Sequence, residues 1–220
     1  MLIEQVDFER LHAQSPVRLL IAATQVKDGR LRIFREDEMT VEAVLASSCL
    51  PFLHHAIEID GEAFWDGGYS ANPPIRQLVI DSHAQDIILV QLIPEIHAEV
   101  PHLSGEISRR MQEIAFTTSL HKELEALEDL REMCRRSPLT HSGTCRTLRN
   151  LRFHRVVADD FVAGLDQESA LDTRWTLLTR LKEQGRVAAA EWLAKHPAKR
   201  RSLLRAAGPL EPLAEMAGAS

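Results

Sequence analysis

An α/β layered fold is what this sequence predicts, on three observations. Val17 to Thr24 and Asp86 to Ile93 are nearly continuous apolar runs, the pattern of strands covered on both faces. Helical patterns lie between and after them. Turn signals at Lys27-Asp28-Gly29-Arg30 and Asp60-Gly61 fold β-prone segments back on one another.

Lys27 to Arg30 leads the first run, expected at the centre of a sheet, into Leu31-Arg32-Ile33-Phe34-Arg35, whose alternation suits a half-exposed strand. Thr40 is placed to N-cap a short helix that runs through small residues to Pro51. Ile57-Glu58-Ile59 and Ala63-Phe64-Trp65 then form a hairpin through Asp60-Gly61, a pair that tolerates positive φ. A helix is expected over Pro74 to Ile80, with proline in its first turn.

Ser104 can cap a long helix to about Met133, with Ile107, Met111, Ile114, Leu120, Leu124, Leu127 and Leu130 at three- and four-residue steps and one slip near Phe116. Ser137 to Thr147 reads as a mobile loop, Leu151 to Val157 as a strand, and Leu171 to Leu193 as a helix broken near Gly185. In that last helix Trp175, Leu178 and Leu181 share one face. The domain boundaries expected are 1–134 for the main α/β unit, 135–198 for a helix and strand extension packed on it, and 199–220 for a solvated tail.

Composition fits a folded protein of one or two domains: 220 residues, 45% hydrophobic and 26% charged. The net charge of -6 gives no basic footprint for nucleic acid, which is excluded as a partner. No apolar run is long enough to span a bilayer, and the N-terminus has no secretory pattern. Cys49, Cys134 and Cys145 fit neither a disulfide framework nor a metal knuckle, so they are expected to be reduced thiols in a cytoplasmic protein. His83, His97, His102 and His121 lack metal-ligand spacing, and no metal or other cofactor is expected.

The chemistry concentrates in Phe64-Trp65-Asp66-Gly67-Gly68-Tyr69. The hairpin fixes where its second strand stops, and at that stop a carboxylate is followed by two glycines that let another segment approach without a Cβ in the way. Asp-Gly-Gly is also ordinary turn chemistry, so its context decides its meaning. That context is Ala46-Ser47-Ser48 to Pro51 upstream, the hairpin, then Asn72-Pro73 beyond, with Val6-Asp7-Phe8 and Arg18 to Thr24 before them.

This ordered set resembles the C-terminal half of the patatin-like lipid acyl hydrolases, fading after about residue 130. The resemblance implies an incomplete three-layer α/β/α fold with a mixed, mainly parallel sheet, followed by a helical extension. It implies hydrolysis of a lipid or other carboxylic ester through a Ser/Asp dyad, with Asp66 as the dyad aspartate within the motif Asp66, Gly67 and Gly68. A peripheral membrane contact is implied as well.

The family's Gly-x-Ser-x-Gly elbow and glycine-rich oxyanion loop do not occur in this sequence: Gly68-Tyr69-Ser70-Ala71-Asn72 lacks the closing glycine, and Gly105-Glu106-Ile107-Ser108 has the wrong spacing. The chain is therefore expected to be inactive alone, Met1 to be an internal methionine of a longer protein, and the piece to associate or aggregate through exposed apolar surface. The alternative is a non-catalytic remnant that binds lipid or depends on a partner.

A free aspartate, with a pKa of about 3.9, is a weak base at neutral pH, so packing beside Trp65, Phe64 and Tyr69 is the expected source of basicity. His54 and His55 are expected at the surface or core edge, and Cys49 as a small buried hydrophobe instead of a thiol nucleophile. Ser47 and Ser48 are expected as small residues in a tight passage. Pro51-Phe52-Leu53 is expected to anchor its loop in the interior, with contact to an acyl chain as the other reading.

Overall fold

Two turn sequences build the larger sheet. In a computed structural model that describes residues 2–15, 17–82, 84–92, 100–136, 143–157 and 172–196, β1 (Leu20–Gln25) and β2 (Leu31–Arg35) pair antiparallel across the Lys27 to Arg30 turn, where Gly29 takes φ 73°. β3 (Ile57–Ile59) and β4 (Glu62–Asp66) pair across Asp60-Gly61, with φ of 51° and 79°, the two left-handed residues a type I′ turn needs. β4 then lies antiparallel beside β1 with Ala23 opposite Asp66, and the strand order is β2-β1-β4-β3.

The mixed α/β class is the one expected, while parallel pairing is confined to a second sheet of β5 (Asp86–Gln91) and β6 (Arg152–Val157). The reason is local. β3 runs in the direction of β1, but the hairpin turns β4 back and inserts it between them. β1 is central in pairing, yet only Ala23 and Thr24 along it are buried, so it is not covered on both faces as its apolar run suggested.

By its internal contacts the chain divides into two units, residues 1–87 with 95–153 and residues 88–94 with 154–220. The first holds the four-stranded sheet. One cluster of its core is Ala23, Phe34, Met39, Ala43, Ala46 and Phe64, with Phe8, Leu11, Leu19, Ile21, Val44, Ile57 and Ile59 packed around it. Phe34 and Phe64 meet edge to face at 5.8 Å.

Two short N-terminal helices, α1 (Leu2–Gln5) and α2 (Phe8–Gln14), precede the sheet, and the Asp7 carboxylate caps α2 by accepting the Arg10 N–H at 2.9 Å. α3 (Val41–Ala46) has the predicted cap, the Thr40 hydroxyl accepting the Ala43 N–H at 3.2 Å. Helix α4 (Ile75–Ser82) follows Pro74 and buries Ile75 and Val79.

Helix α5 (Ser104–Arg136) is as long as expected but is capped by a different residue: Glu106 reaches back to accept the His102 and Leu103 N–H groups. Its apolar stripe divides. Leu120 and Leu127 are buried, while Leu103 just before the helix, and Ile107, Met111 and Ile114 in its first half, are exposed.

Three expectations for the C-terminal part are corrected. Gly143 to Thr147 belongs to a helix, α6 (Gly143–Asn150), which buries Leu148; the Ser137 to His141 part of the expected loop and Ser142 lie outside the described residues. Cys134 and Cys145 form a disulfide that ties the last turn of α5 to α6, so only Cys49 is a free thiol, and the cysteine ground for a cytoplasmic location is gone. Helix α7 (Trp175–Lys195), in the second unit, runs unbroken through Gly185. Its buried residues are Leu177 and Trp192, whereas Trp175, Leu178 and Leu181 are exposed. Within that unit Trp192 stacks on His196 at 4.5 Å and meets His154 edge to face at 5.7 Å.

The tail at 199–220 and the residues His83 and His97 lie outside the described residues. Among the described residues no helix is long and apolar enough to cross a membrane.

Candidate functional site

Asp66 is the last residue of β4 and the N-cap of a single 3-10 turn, Gly67–Tyr69. Its Oδ1 accepts the Gly68 N–H at 2.7 Å, the Asx geometry that an aspartate two residues before a turn amide favours. Among the described residues this is the one hydrogen bond to the carboxylate.

Backbone contacts fix the residue from two sides. Its N–H donates to the Cys49 carbonyl at 2.9 Å, and its carbonyl accepts the Thr24 hydroxyl at 2.8 Å. Thr24 is buried, and its Oγ1 also lies 2.9 Å from Ser70 Oγ, so one hydroxyl from β1 ties together the start and the end of the turn. The small-residue segment after α3 thus has a definite role, since the strand bearing Asp66 closes against its main chain.

The two glycines are required by close approach. A Cβ on Gly67 would sit 2.3 Å from the Ala22 carbonyl oxygen, and one on Gly68 would sit 2.2 Å from Phe116 Cε1. Neither glycine has positive φ, so the constraint is steric. The sequence foresaw a segment packing there; the structure identifies it as β1 on one side and α5 on the other.

Phe116 also packs on Tyr69, ring centroids 4.9 Å apart. One turn along α5, Ser119 Oγ accepts the Asn72 N–H at 3.2 Å, and a further turn along, Glu123 accepts the Arg76 N–H at 3.0 Å. Phe116, Ser119 and Glu123 were not anticipated. The available signal was the slip in the apolar period near Phe116, where the helix turns a different face to the Asp66 turn.

Burial pushes the Asp66 carboxyl above the usual aspartate range, and the Gly68 N–H bond opposes that shift without cancelling it. Burial also raises the Tyr69 phenol, reinforced by the Asp66 charge. The Cys49 thiol is raised mainly by burial, and its Sγ–H donates to the His55 carbonyl at 3.1 Å, which makes it an inert small hydrophobe as expected. Of the aromatic residues named from sequence, Phe64 is buried in the core and Tyr69 flanks the turn, while strand alternation sends Trp65 to the face opposite Phe64 and Asp66.

His54 and His55 are exposed, and neither is hydrogen-bonded to Asp66. The Ser47 hydroxyl donates to the Val44 carbonyl at 2.7 Å and that of Ser48 to the Val44 and Leu45 carbonyls, so both serve the end of α3. Pro51-Phe52-Leu53 is not an interior anchor: Phe52 is 85% exposed. No group of three or more His, Cys, Asp or Glu side chains able to hold a metal occurs among the described residues.

Residues 6–79 of the 220 match the family model for patatin-like phospholipases. The match begins where the sequence resemblance begins, at Val6, and contains Asp66, Gly67 and Gly68. It lies in the N-terminal region of this chain and ends within α4, well short of residue 130, where the sequence resemblance fades. No curated protein matches the chain.

Proposed function

We propose that this chain, similar over residues 6–79 to patatin-like phospholipases, contributes Asp66 as the acidic member of a Ser/Asp dyad for phospholipase A-type hydrolysis of lipid carboxylic esters. The observation that carries the reading is the state of that carboxyl. It is partly buried and shifted toward higher pKa, one oxygen is held by the Gly68 N–H, and the other accepts no hydrogen bond among the described residues. A carboxylate so held is oriented, more basic than a free aspartate, and able to take one further hydrogen bond.

The partner serine attacks the ester carbonyl as Asp66 accepts its proton, Asp66 gives that proton to the departing alkoxide so that the alcohol leaves, and water, deprotonated by Asp66, then attacks the acyl-enzyme to release the acid while the proton returns to the serine oxygen. This sequence has no Gly-x-Ser-x-Gly elbow, so the reading takes the nucleophile from polypeptide outside it and treats the chain as the C-terminal portion of the catalytic domain. The chain by itself then has no esterase turnover. The missing elbow is also the observation that favours the second reading, a lipid-binding or partner-dependent remnant without catalysis.

One set of measurements separates them. The purified chain is assayed with a nitrophenyl ester and labelled with a fluorophosphonate serine probe, alone and after co-expression with the coding region upstream of Met1. Expected are no turnover alone, turnover with labelling of the upstream segment on co-expression, and loss of turnover in Asp66→Asn. Turnover that persists in Asp66→Asn would remove Asp66 from the chemistry, and no turnover or labelling in either preparation would leave the non-catalytic reading.

A further inference from the structure

We propose that the Leu50–Leu53 loop is a lipid-contact device: Phe52 and Leu53 seat on a zwitterionic phospholipid surface beside the Asp66 turn. This deepens the lipid hydrolase reading and rests on it for the identity of the occupant.

The first ground is exposure held in place. Phe52 is 85% and Leu53 48% exposed, yet the loop that carries them is ordered by the Leu53 and His54 N–H groups, which both donate to the Leu50 carbonyl at 3.0 Å. A phenylalanine ring held out in water leaves most of its apolar area unburied, and burying it at an interface is favourable.

The second ground is charge. From Ala43 to Ile57 the chain has no Asp, Glu, Lys or Arg, in a sequence that is 26% charged. Nothing there has to lose a charged hydration shell on meeting a headgroup layer. The bordering Glu42 and Glu58 are exposed, and the titratable groups inside the run are the exposed His54 and His55, so no lysine or arginine of this segment draws it to anionic lipid. A neutral or zwitterionic surface is the complementary one.

The third ground is position. The Asp66 N–H donates to the carbonyl of Cys49, the residue immediately before the loop. The main chain that carries the candidate carboxylate is therefore hydrogen-bonded to the chain three residues before Phe52. One aromatic and one aliphatic side chain give weak, reversible attachment, as a peripheral protein requires.

The test is co-sedimentation of the full chain with sucrose-loaded vesicles of phosphatidylcholine, alone and mixed with phosphatidylglycerol. Expected is binding to phosphatidylcholine that phosphatidylglycerol does not strengthen, lowered about tenfold or more in Phe52→Asp and restored in Phe52→Trp. Trp175→Ala, which removes an equally exposed ring from the second unit, leaves binding unchanged.

Because Phe52 makes little contact with the fold, its variants keep the wild-type circular dichroism and urea midpoint. Asp66→Asn binds vesicles like the wild type, so a failure of the dyad reading leaves this result standing and is told apart from it. Undiminished binding in Phe52→Asp, binding that requires phosphatidylglycerol, or loss of binding in Met111→Glu but not in Phe52→Asp overturns the proposal.

Discussion

Substituting Gly68 and Gly67 by alanine probes the packing that holds Asp66. A Cβ at Gly68 meets Phe116 Cε1 at 2.2 Å and Cδ1 at 2.5 Å, with Asp66 Oδ1 at 3.0 Å. The ring is a half-buried side chain and can shift, so overpacking costs about 2 kcal/mol, reduced by roughly 0.5 kcal/mol because alanine restricts the unfolded chain.

At Gly67 the obstacles are the Ala22 carbonyl oxygen at 2.3 Å and carbonyl carbon at 2.5 Å, main-chain atoms of a strand paired on both sides. They cannot rotate away, so Gly67→Ala costs more, about 3 kcal/mol. Urea unfolding followed by circular dichroism gives both values, provided the slopes agree.

Removing the ring supplies the control. In a Phe116→Ala background the added methyl has room, and the double variant should recover about 1 to 2 kcal/mol relative to the sum of the single changes. Gly68→Ala within about 0.5 kcal/mol of wild type, or a cost unchanged in the Phe116→Ala background, would refute the claim that α5 closes on this turn.

The folded Asp66 carboxyl titrates above its ordinary value of 3.8, so its contribution to stability is fully present below that value and lost as pH rises through the folded pKa. Asp66→Asn should therefore match the wild type in acid and gain on it as pH rises, as urea midpoints across pH will show. Thr24→Val should cost about 1 to 2 kcal/mol by leaving the Asp66 carbonyl without its hydroxyl donor, and Thr24→Ser should restore most of that in the same titration. Under non-reducing conditions the unfolded chain should show one reactive thiol, rising to three on reduction. Reduction should lower the unfolding free energy by roughly 3 kcal/mol for a cross-link separated by 11 residues.

Much of the local structure was legible in the residues. Asp60-Gly61 specified its hairpin because only certain residues tolerate φ of 51° and 79°, and Thr40 specified the start of α3 because a hydroxyl there satisfies a helix amide. Asp66 and its two glycines were legible for a related reason: a strand stop, a carboxylate and missing Cβ atoms each constrain the chain within a few positions. The partners of those glycines were not. Ala22 and Phe116 lie 45 and 48 residues away in sequence, and no local preference reports such an approach.

Local preferences alone specified the hairpin turns, the start of α3, the span of α5 and the carboxylate that ends a strand beside two glycines, but not the helical state of Gly143 to Thr147 or the continuity of α7 through Gly185. Those properties follow from φ/ψ limits and hydrogen bonding over short separations. Tertiary structure decided what encloses that carboxylate, that β4 inserts between β1 and β3, that Cys134 reaches Cys145, and that Phe52 faces outward. These are outcomes of long-range packing, in which the same apolar residue can be core or surface according to what the rest of the chain brings against it.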